Sequence, residues 1–174
     1  MTWRSLIAGL EFTIKRPVLL GAITLDMFAV ILASALALLP IFAKDILQVG
    51  PWGLGLLRSA PAVGALGMAL LLSKTSVLSR RAGQWLFVTV AAYGFATIGF
   101  GLSESVVLSF LLLLLVGAGD MASTVIRQTL IQLATPDDRR GRVIAVNQLC
   151  SQTAGQLGAF QSGLLAEFLA HEAR

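Results

Sequence analysis

The sequence predicts an all-α fold: a polytopic membrane helix bundle with about five transmembrane helices. Of the 174 residues, 56% are hydrophobic and only 13% are charged. Soluble domains carry roughly 45–50% apolar and about 25% charged residues, and so few charges could not cover this much apolar surface in water. The apolar residues also lie in runs of about 20, the length of helix that crosses a hydrocarbon core. A lipid bilayer is therefore the expected partner of the whole chain.

The N-terminal residues 1–16 predict a cytoplasmic amphipathic linker that lies on the membrane surface. Leu6, Leu10 and Ile14 recur at helical spacing among charged residues. The same charges interrupt any apolar run, so the segment is not a signal peptide. The membrane unit covers residues 17–170, with crossings at about 17–43, 51–73, 84–102, 106–126 and 143–169, and residues 171–174 form a tail.

The five crossings differ in their polar content. The first contains Asp26, the second Arg58, and the third carries no charge. The second also has a ridge of small residues, Ala60 and Gly64, which permits close helix packing. Since the connections are short, neighbouring helices are expected to be antiparallel.

The last crossing is the most polar, and it has a clear helix start before residue 143. Thr135 is placed to cap the helix and Pro136 suits its first position. Asp137 and Asp138 then face the positive end of the helix dipole. This helix is expected to begin in the cytoplasm and to enter lipid after Arg142.

The distribution of basic residues predicts the orientation. Only Lys44 and Arg174 fall on the opposite side from the other basic residues of the loops and helix ends. Cytoplasmic loops carry the excess of Lys and Arg. The N-terminus is therefore expected in the cytoplasm, and the location is the inner (plasma) membrane. The basic residues assigned to the cytoplasmic side are Arg4, Lys15, Arg16, Lys74, Arg80, Arg81, Arg127, Arg139, Arg140 and Arg142.

The residue inventory excludes several classes of function. A single cysteine, Cys150, and a single histidine, His171, offer neither an internal disulfide nor a His-based metal site. No phosphate loop or nucleophile motif is present. The basic residues are dispersed between apolar runs rather than gathered on a nucleic-acid-binding face. We therefore expect no enzyme activity, no catalytic residue, no cofactor, no metal and no nucleic-acid partner.

Asp26 is the first candidate functional residue. It lies roughly 14 Å into the first helix, near the bilayer centre, where an ionised carboxylate costs about 3 kcal/mol or more. It must face a cation or a water-filled cavity, or be protonated. It is thus either a proton-coupling or substrate site, or half of a structural pair. Arg58 is the nearest cation in depth, and it either pairs with Asp26 or extends toward the surface.

A polar face on the fifth helix is the second candidate. Gln148, Gln152 and Gln156 are spaced by four residues and share one face, with Asn147 beside them. Such a stripe lines an aqueous cavity or hydrogen-bonds to other helices. We expect it to line a substrate cavity.

A cytoplasmic gate is the third candidate. Asp120 lies near the cytoplasmic end of the fourth helix, and Arg127 follows on the same face. Arg81 and Arg142 border the same side. A carboxylate among guanidiniums could latch this end closed, whereas the simpler alternative is that the arginines only anchor the topology.

Several stretches resemble the C-terminal half of Major Facilitator Superfamily transporters, in the branch of enterobactin exporters and transmembrane secretion effectors. They are LLGAITLDMFAVILASALALLPIFAKDIL, VGPWGLGLLRSAPAVGAL, GAGDMASTVIRQTLIQLATPDDRRGRV and LGAFQSG. The resemblance implies that the five helices are the seventh to eleventh of twelve. It also implies part of a secondary active exporter that moves a small amphipathic solute, with proton coupling in the intact protein.

The chain departs from that family in extent and in one motif. The first six helices and the twelfth are missing, and residues Gln156, Ala159 and Gln161 stand where relatives show a pattern like ELGEFESG. The exposed polar face then requires a second wall, because polar groups facing lipid are costly. We expect a separate N-terminal six-helix half, in cis or in trans, or an inactive truncated gene product. The alternative from another class is a non-transporting membrane scaffold that binds a helix of a partner.

Overall fold

The computed structural model describes residues 3–33, 38–74 and 82–172, with side chains at 9–31, 38–74 and 83–164. Every regular element in these ranges is helical, which confirms the predicted fold class. The elements are α1 (Trp3–Ile14), α2 (Pro17–Ala33), α3 (Leu39–Ile41) with a π-helical turn (Phe42–Ile46), α4 (Pro51–Ser73), α5 (Ala82–Gly101), α6 (Val106–Ala134) and α7 (Asp137–Glu172).

The helix ends differ from the predicted crossings at two places. In the first crossing, the structure describes α2 over Pro17–Ala33, then the short helix Leu39–Ile41, which contains Pro40, and the π-helical turn Phe42–Ile46. The fourth helix continues past residue 126 to Ala134, because the apolar residues of TLIQLA extend the pattern. It ends where Thr135 adopts an extended backbone before Pro136, the residue type that disfavours helix at the position before it.

The predicted cap at Thr135 is wrong. Its hydroxyl oxygen is buried and has no hydrogen-bond partner among the described residues. The backbone instead organises the start of α7, where the amides of Arg139 and Arg140 each donate to the carbonyl oxygen of Pro136 at 3.0 Å. Asp137 and Asp138 occupy the first turn as predicted.

Three helices are long and apolar enough to cross a membrane, within the parts of the chain that the structure describes. They are Pro51–Ser73, Gly83–Gly101 and Val106–Ala134. The apolar helix α2 is shorter, at 17 residues. Helix α7 has 36 residues, so it extends about 54 Å, but its many polar side chains lower its hydropathy. These helices are consistent with a polytopic membrane bundle.

The bundle is built from two groups of helices. Helices α4 and α5 pack along α6, while α1 and α2 pack along α7. Helix α2 also contacts α5 and α6, and it joins the groups. The predicted close approach at Gly64 is present: a Cβ added there would lie 1.9 Å from the carbonyl oxygen of Leu114 on α6. Gly117 makes the reciprocal approach to Pro61, so the backbones of α4 and α6 are in direct contact.

Apolar clusters lie at different levels of the bundle. One joins α3, the π-helical turn, α4, α5 and α6 around Leu57 and Leu113. It includes the rings of Phe42 and Phe100, which are tilted by 40° with their centroids 4.7 Å apart. Two smaller clusters lie near the end where α2 begins and α6 ends. They are Leu19 with Ile131 and Val143, and Ala22 with Leu86 and Ile126. The polar residues between these levels form the candidate site.

Candidate functional site

A buried ion pair joins α2 to α6 inside the bundle. The guanidinium Nη1 of Arg127 donates to Oδ1 of Asp26, and both residues are 5% exposed. Burying either charge alone would be strongly unfavourable. The opposite charge and the hydrogen bond make the arrangement possible, because each ion is the neutralising partner of the other.

A third helix contributes to the same carboxylate. Ser151 Oγ on α7 donates to the other oxygen of Asp26, Oδ2, at 2.6 Å. Both carboxylate oxygens are thus hydrogen-bonded, one by a cation and one by a hydroxyl. The cluster of Asp26, Arg127 and Ser151 therefore connects α2, α6 and α7. Helices α6 and α7 make few other direct contacts. We call these three residues the charged cluster.

The charged cluster retains hydrogen-bonding capacity that the described residues do not use. Asn147 lies one helical turn before Ser151 on α7 and is 1% exposed. Its Oδ1 acceptor and the Nε–H donor of Arg127 are both buried without a partner among the described side chains. Native proteins rarely leave such groups unpaired, so this site can take additional or alternative partners.

Apolar layers close one side of the charged cluster. Along α2, Leu19 and Ala22 precede Asp26, and both are packed in the small clusters with residues of α6. Ile126 and Ile131 supply the α6 side of these layers. Since α2 begins and α6 ends at this side, the layers separate the ion pair from that end of the bundle. The pair is consequently in a low-dielectric environment, where its electrostatic interaction is strong.

The predicted partner of Asp26 is wrong. Arg58 is exposed on α4 and has no ion pair with any residue that the structure describes. Arg127 takes that place. The sequence predicts that the fourth crossing ends at residue 126, which places Arg127 on the cytoplasmic side of the membrane. In the longer α6 it lies about 10 Å before the helix end, which brings it to the depth of Asp26.

The predicted cytoplasmic gate is not assembled as a unit. Arg127 pairs with Asp26 rather than with Asp120, and Asp120 is exposed on α6 with no ion pair to a described residue. Arg142 is exposed at the start of α7, where it faces α1 instead. The side chain of Arg81 lies outside the described residues. Of the four predicted gate residues, the described part of the structure therefore places Arg127 in a different site.

The predicted glutamine face is on the surface of this chain. Gln148, Gln152 and Gln156 are all exposed, whereas Asn147, one helical turn before Ser151, is buried. The inward face of α7 instead carries small residues, among them Ser151 and the fully buried Ala154. The polar stripe of α7 is therefore divided: part of it belongs to the buried site, and the glutamines are available to another molecule or to water.

Ser151 is the residue of the cluster that sequence reasoning did not select. It lacks the regular spacing of the glutamines, and the last helix carries several other polar residues. The available signal was its position, since Asn147 and Ser151 are four residues apart and share a face. Only the packing of α2 on α7 shows that this face of α7 is the one that meets Asp26.

Comparison with known proteins places this arrangement in a family context. The family model described as Major Facilitator Superfamily matches residues 2–159. The chain is also 29% identical over 167 residues to the enterobactin exporter EntS of Shigella flexneri, an alignment that covers 95% of this chain and 38% of the exporter. This chain thus spans well under half the length of that curated relative. No solved structure matches it significantly.

Proposed function

Because the chain belongs to the Major Facilitator Superfamily, we propose that it forms the C-terminal half of a secondary transporter that exports a small amphipathic solute. It is a membrane-embedded protein whose family and helices point to transport rather than enzymology. Similarity to a protein named as an exporter supports the outward direction. The excess of basic residues in the loops supports an inner-membrane location with the N-terminus in the cytoplasm.

The charged cluster is the observation that carries this proposal. A carboxylate, a guanidinium and a hydroxyl from three helices meet among apolar layers. Ionisable groups inside a membrane are expensive and typically belong to ion or substrate pathways. The unused acceptor of Asn147 and donor of Arg127 also support a site whose partners change.

Proton coupling follows from the chemistry of the ion pair. A proton on Asp26 removes the charge that neutralises Arg127, so protonation and the ion pair exclude each other. Loss of the pair would weaken the connection between α2 and α6 and favour their separation. Transporters of this type alternate by moving helix groups around a central site. Asp26 is thus the proposed coupling group, and Arg127 is the residue that competes with the proton.

A second half of the transporter completes the proposal. The exposed face of Gln148, Gln152 and Gln156 would be costly against hydrocarbon. It would be favourable as one wall of a wet cavity whose opposite wall is an N-terminal six-helix unit, supplied in cis or in trans. The solute then binds between the halves.

The test is proton-driven efflux by the complete transporter in proteoliposomes, with enterobactin as the first probe because the similar exporter carries that name. Asp26→Asn is expected to abolish the dependence of efflux on the proton gradient, while Asp120→Asn, an exposed carboxylate on α6, should retain it. Undiminished gradient-driven efflux by Asp26→Asn would eliminate Asp26 as the coupling group. Co-purification with another membrane protein, together with no flux of any tested solute, would favour the scaffold alternative.

A further inference from the structure

We propose that α1 and the first turns of α7 form a binding site for the phosphate group of an anionic phosphoester. The source is either the headgroup of an anionic lipid or a soluble phosphate. This inference does not depend on the transport proposal, because it concerns a different end of the molecule and a different ligand. It rests on a cavity, its unpaired charge and its depth in the membrane.

The cavity lies in the angle between the two helices. It has a volume of about 210 Å³ and is lined by Gly9, Glu11, Phe12, Lys15, Arg139 and Arg142. A water molecule takes about 30 Å³ of liquid, so the space accommodates a tetrahedral anion with its oxygens. Gly9 keeps the helices close: a Cβ there would lie 3.0 Å from the backbone oxygen of Arg142.

The charge of the cavity favours an anion. Three of the lining residues are cationic and one is a carboxylate. Glu11 is matched by Lys15, whose Nζ lies 2.6 Å from Oε1 of Glu11, and this hydrogen bond and charge hold the pKa of Glu11 below its usual range. The opposite charges of Glu11 and Lys15 therefore offset each other. The excess positive charge remains on Arg139 and Arg142.

The acidic residues of α7 match Arg139 and Arg140 but leave the charge of Arg142 uncompensated. Asp137 is matched by Arg140, 2.7 Å away, and Asp138 lies 3.4 Å from Nε of Arg139. The side chain of Arg142 has no ion pair or hydrogen bond to a residue in the described ranges. Its donor fork is free, and a guanidinium fork matches two oxygens of a phosphate.

An aromatic ring positions the basic side chains. The ring centroid of Phe12 lies 5.3 Å from Cζ of Arg16 and 5.5 Å from Cζ of Arg139. A cation–π contact uses the face of a guanidinium and leaves its N–H edge available for an anion. The contact with the Phe12 ring therefore holds Arg139 in place, so that less side-chain conformational entropy is lost when a phosphate binds.

The depth of the cavity matches that of lipid phosphates. Leu10 and Ile14 lie one turn apart on α1 and are 46% and 55% exposed. An amphipathic helix buries such a face at the boundary between acyl chains and headgroups. Val143, directly after Arg142, is already fully buried in the bundle. The cationic cavity is consequently at headgroup level, where basic pockets between helices bind anionic lipids.

The experiment measures lipid binding by the purified complete protein, using native mass spectrometry with short-chain phosphatidylglycerol and phosphatidylcholine. The wild type should bind phosphatidylglycerol in preference to phosphatidylcholine. Arg142→Gln should weaken phosphatidylglycerol binding about fivefold or more. Lys74→Gln is the matched control, because it removes an exposed cation at the end of α4, and its affinity should stay within about twofold.

A second variant tests the cavity rather than the charge. Gly9→Leu keeps every cation but places a side chain against the Arg142 backbone, so it should also lose binding. Gly21→Leu, where an added Cβ meets nothing within 4 Å, should not. Equal affinity of the wild type for the two lipids, or equal loss in Arg142→Gln and Lys74→Gln, would overturn the site.

Inorganic phosphate distinguishes the two sources. Displacement of phosphatidylglycerol by millimolar phosphate would assign the site to phosphate groups in general, including soluble ones. Retention of the lipid under the same conditions would assign it to lipid headgroups.

Discussion

Asp26 on α2 and Arg127 on α6 form an ion pair that is almost completely buried, although 101 residues separate them along the chain. Ser151 of α7 binds the second oxygen of the same carboxylate. One carboxylate thus determines how three helices meet. Its environment leads to the first two predictions.

Removing one charge of the pair should be far more destabilising than removing both. Asp26→Asn leaves the Arg127 guanidinium buried without a counterion, which costs about 3–5 kcal/mol of unfolding free energy. The double variant Asp26→Asn, Arg127→Met removes that uncompensated charge and should recover much of the loss. The measurement is unfolding of the purified protein in a detergent titration.

Asp120→Asn is the control for that series. Asp120 lies on the same helix as Arg127 but is exposed and has no ion pair in the described ranges, so its substitution should stay within about 0.5 kcal/mol. If the double variant is no more stable than Asp26→Asn alone, the two charges are not coupled as the structure indicates.

The hydroxyl of Ser151 should contribute less than the guanidinium. Ser151→Ala removes one hydrogen bond to a charged acceptor, and bonds of this kind are worth about 1.5–3 kcal/mol. Thr153→Ala changes an exposed hydroxyl on the same helix and should be nearly neutral. The same unfolding titration compares them. Equal effects of the two substitutions would show that Ser151 does not hold the carboxylate.

The contact between α4 and α6 should tolerate no side chain at Gly64. An added Cβ would overlap the Leu114 carbonyl oxygen, a backbone atom that cannot rotate away. Gly64→Ala should therefore destabilise the protein by about 1–3 kcal/mol through overpacking. Gly67→Ala, on the same helix with nothing within 4 Å, should instead be neutral or slightly stabilising, because Ala favours helix. Thermal unfolding in detergent distinguishes the two, and similar effects would contradict this packing.

The fold class and the sites of close packing could be predicted from sequence because they depend on local properties. Long apolar runs require a bilayer whatever their neighbours are. The small residue Gly64 on an apolar helix permits close approach regardless of which helix arrives. Only the structure shows that the helix packed against Gly64 is α6.

The partner of Asp26 could not be predicted because it depended on the length of another helix. The depth of Asp26 along α2 correctly indicates that a cation must lie at the same level of the membrane. A fourth crossing that ends at residue 126 places Arg127 at the membrane surface, so Arg58 becomes the predicted partner of Asp26. The run that follows Arg127 is apolar at helical spacing, and it was the available signal that α6 continues. The burial of Asn147 and the hydrogen bond of Ser151 to Asp26 likewise depend on the packing of α2 on α7, which the sequence alone does not specify.

The proposed orientation predicts opposite accessibility at two exposed loop residues. Lys74 ends α4 and Glu104 lies between α5 and α6, and both side chains are exposed. With the N-terminus in the cytoplasm, Glu104 lies outside and Lys74 inside. In a Cys150→Ser background, Glu104→Cys should react with a membrane-impermeant maleimide in intact cells. Lys74→Cys should react only after the cells are opened, and the reverse pattern would invert the topology.

The glutamine face of α7 should be wet in the complete transporter. Maleimide reacts with the thiolate, which forms in water and is disfavoured in hydrocarbon. In the Cys150→Ser background, Gln152→Cys should therefore react roughly ten times faster or more than Leu157→Cys, a control position on the same helix that is exposed and apolar. Gln148→Cys and Gln156→Cys should follow Gln152→Cys, because the three share one face. Protection of Gln152→Cys by the transported solute would place it in the cavity wall. Slow labelling of all three positions would mean that the face packs against protein or lipid, and the cavity would have to be lined by other helices.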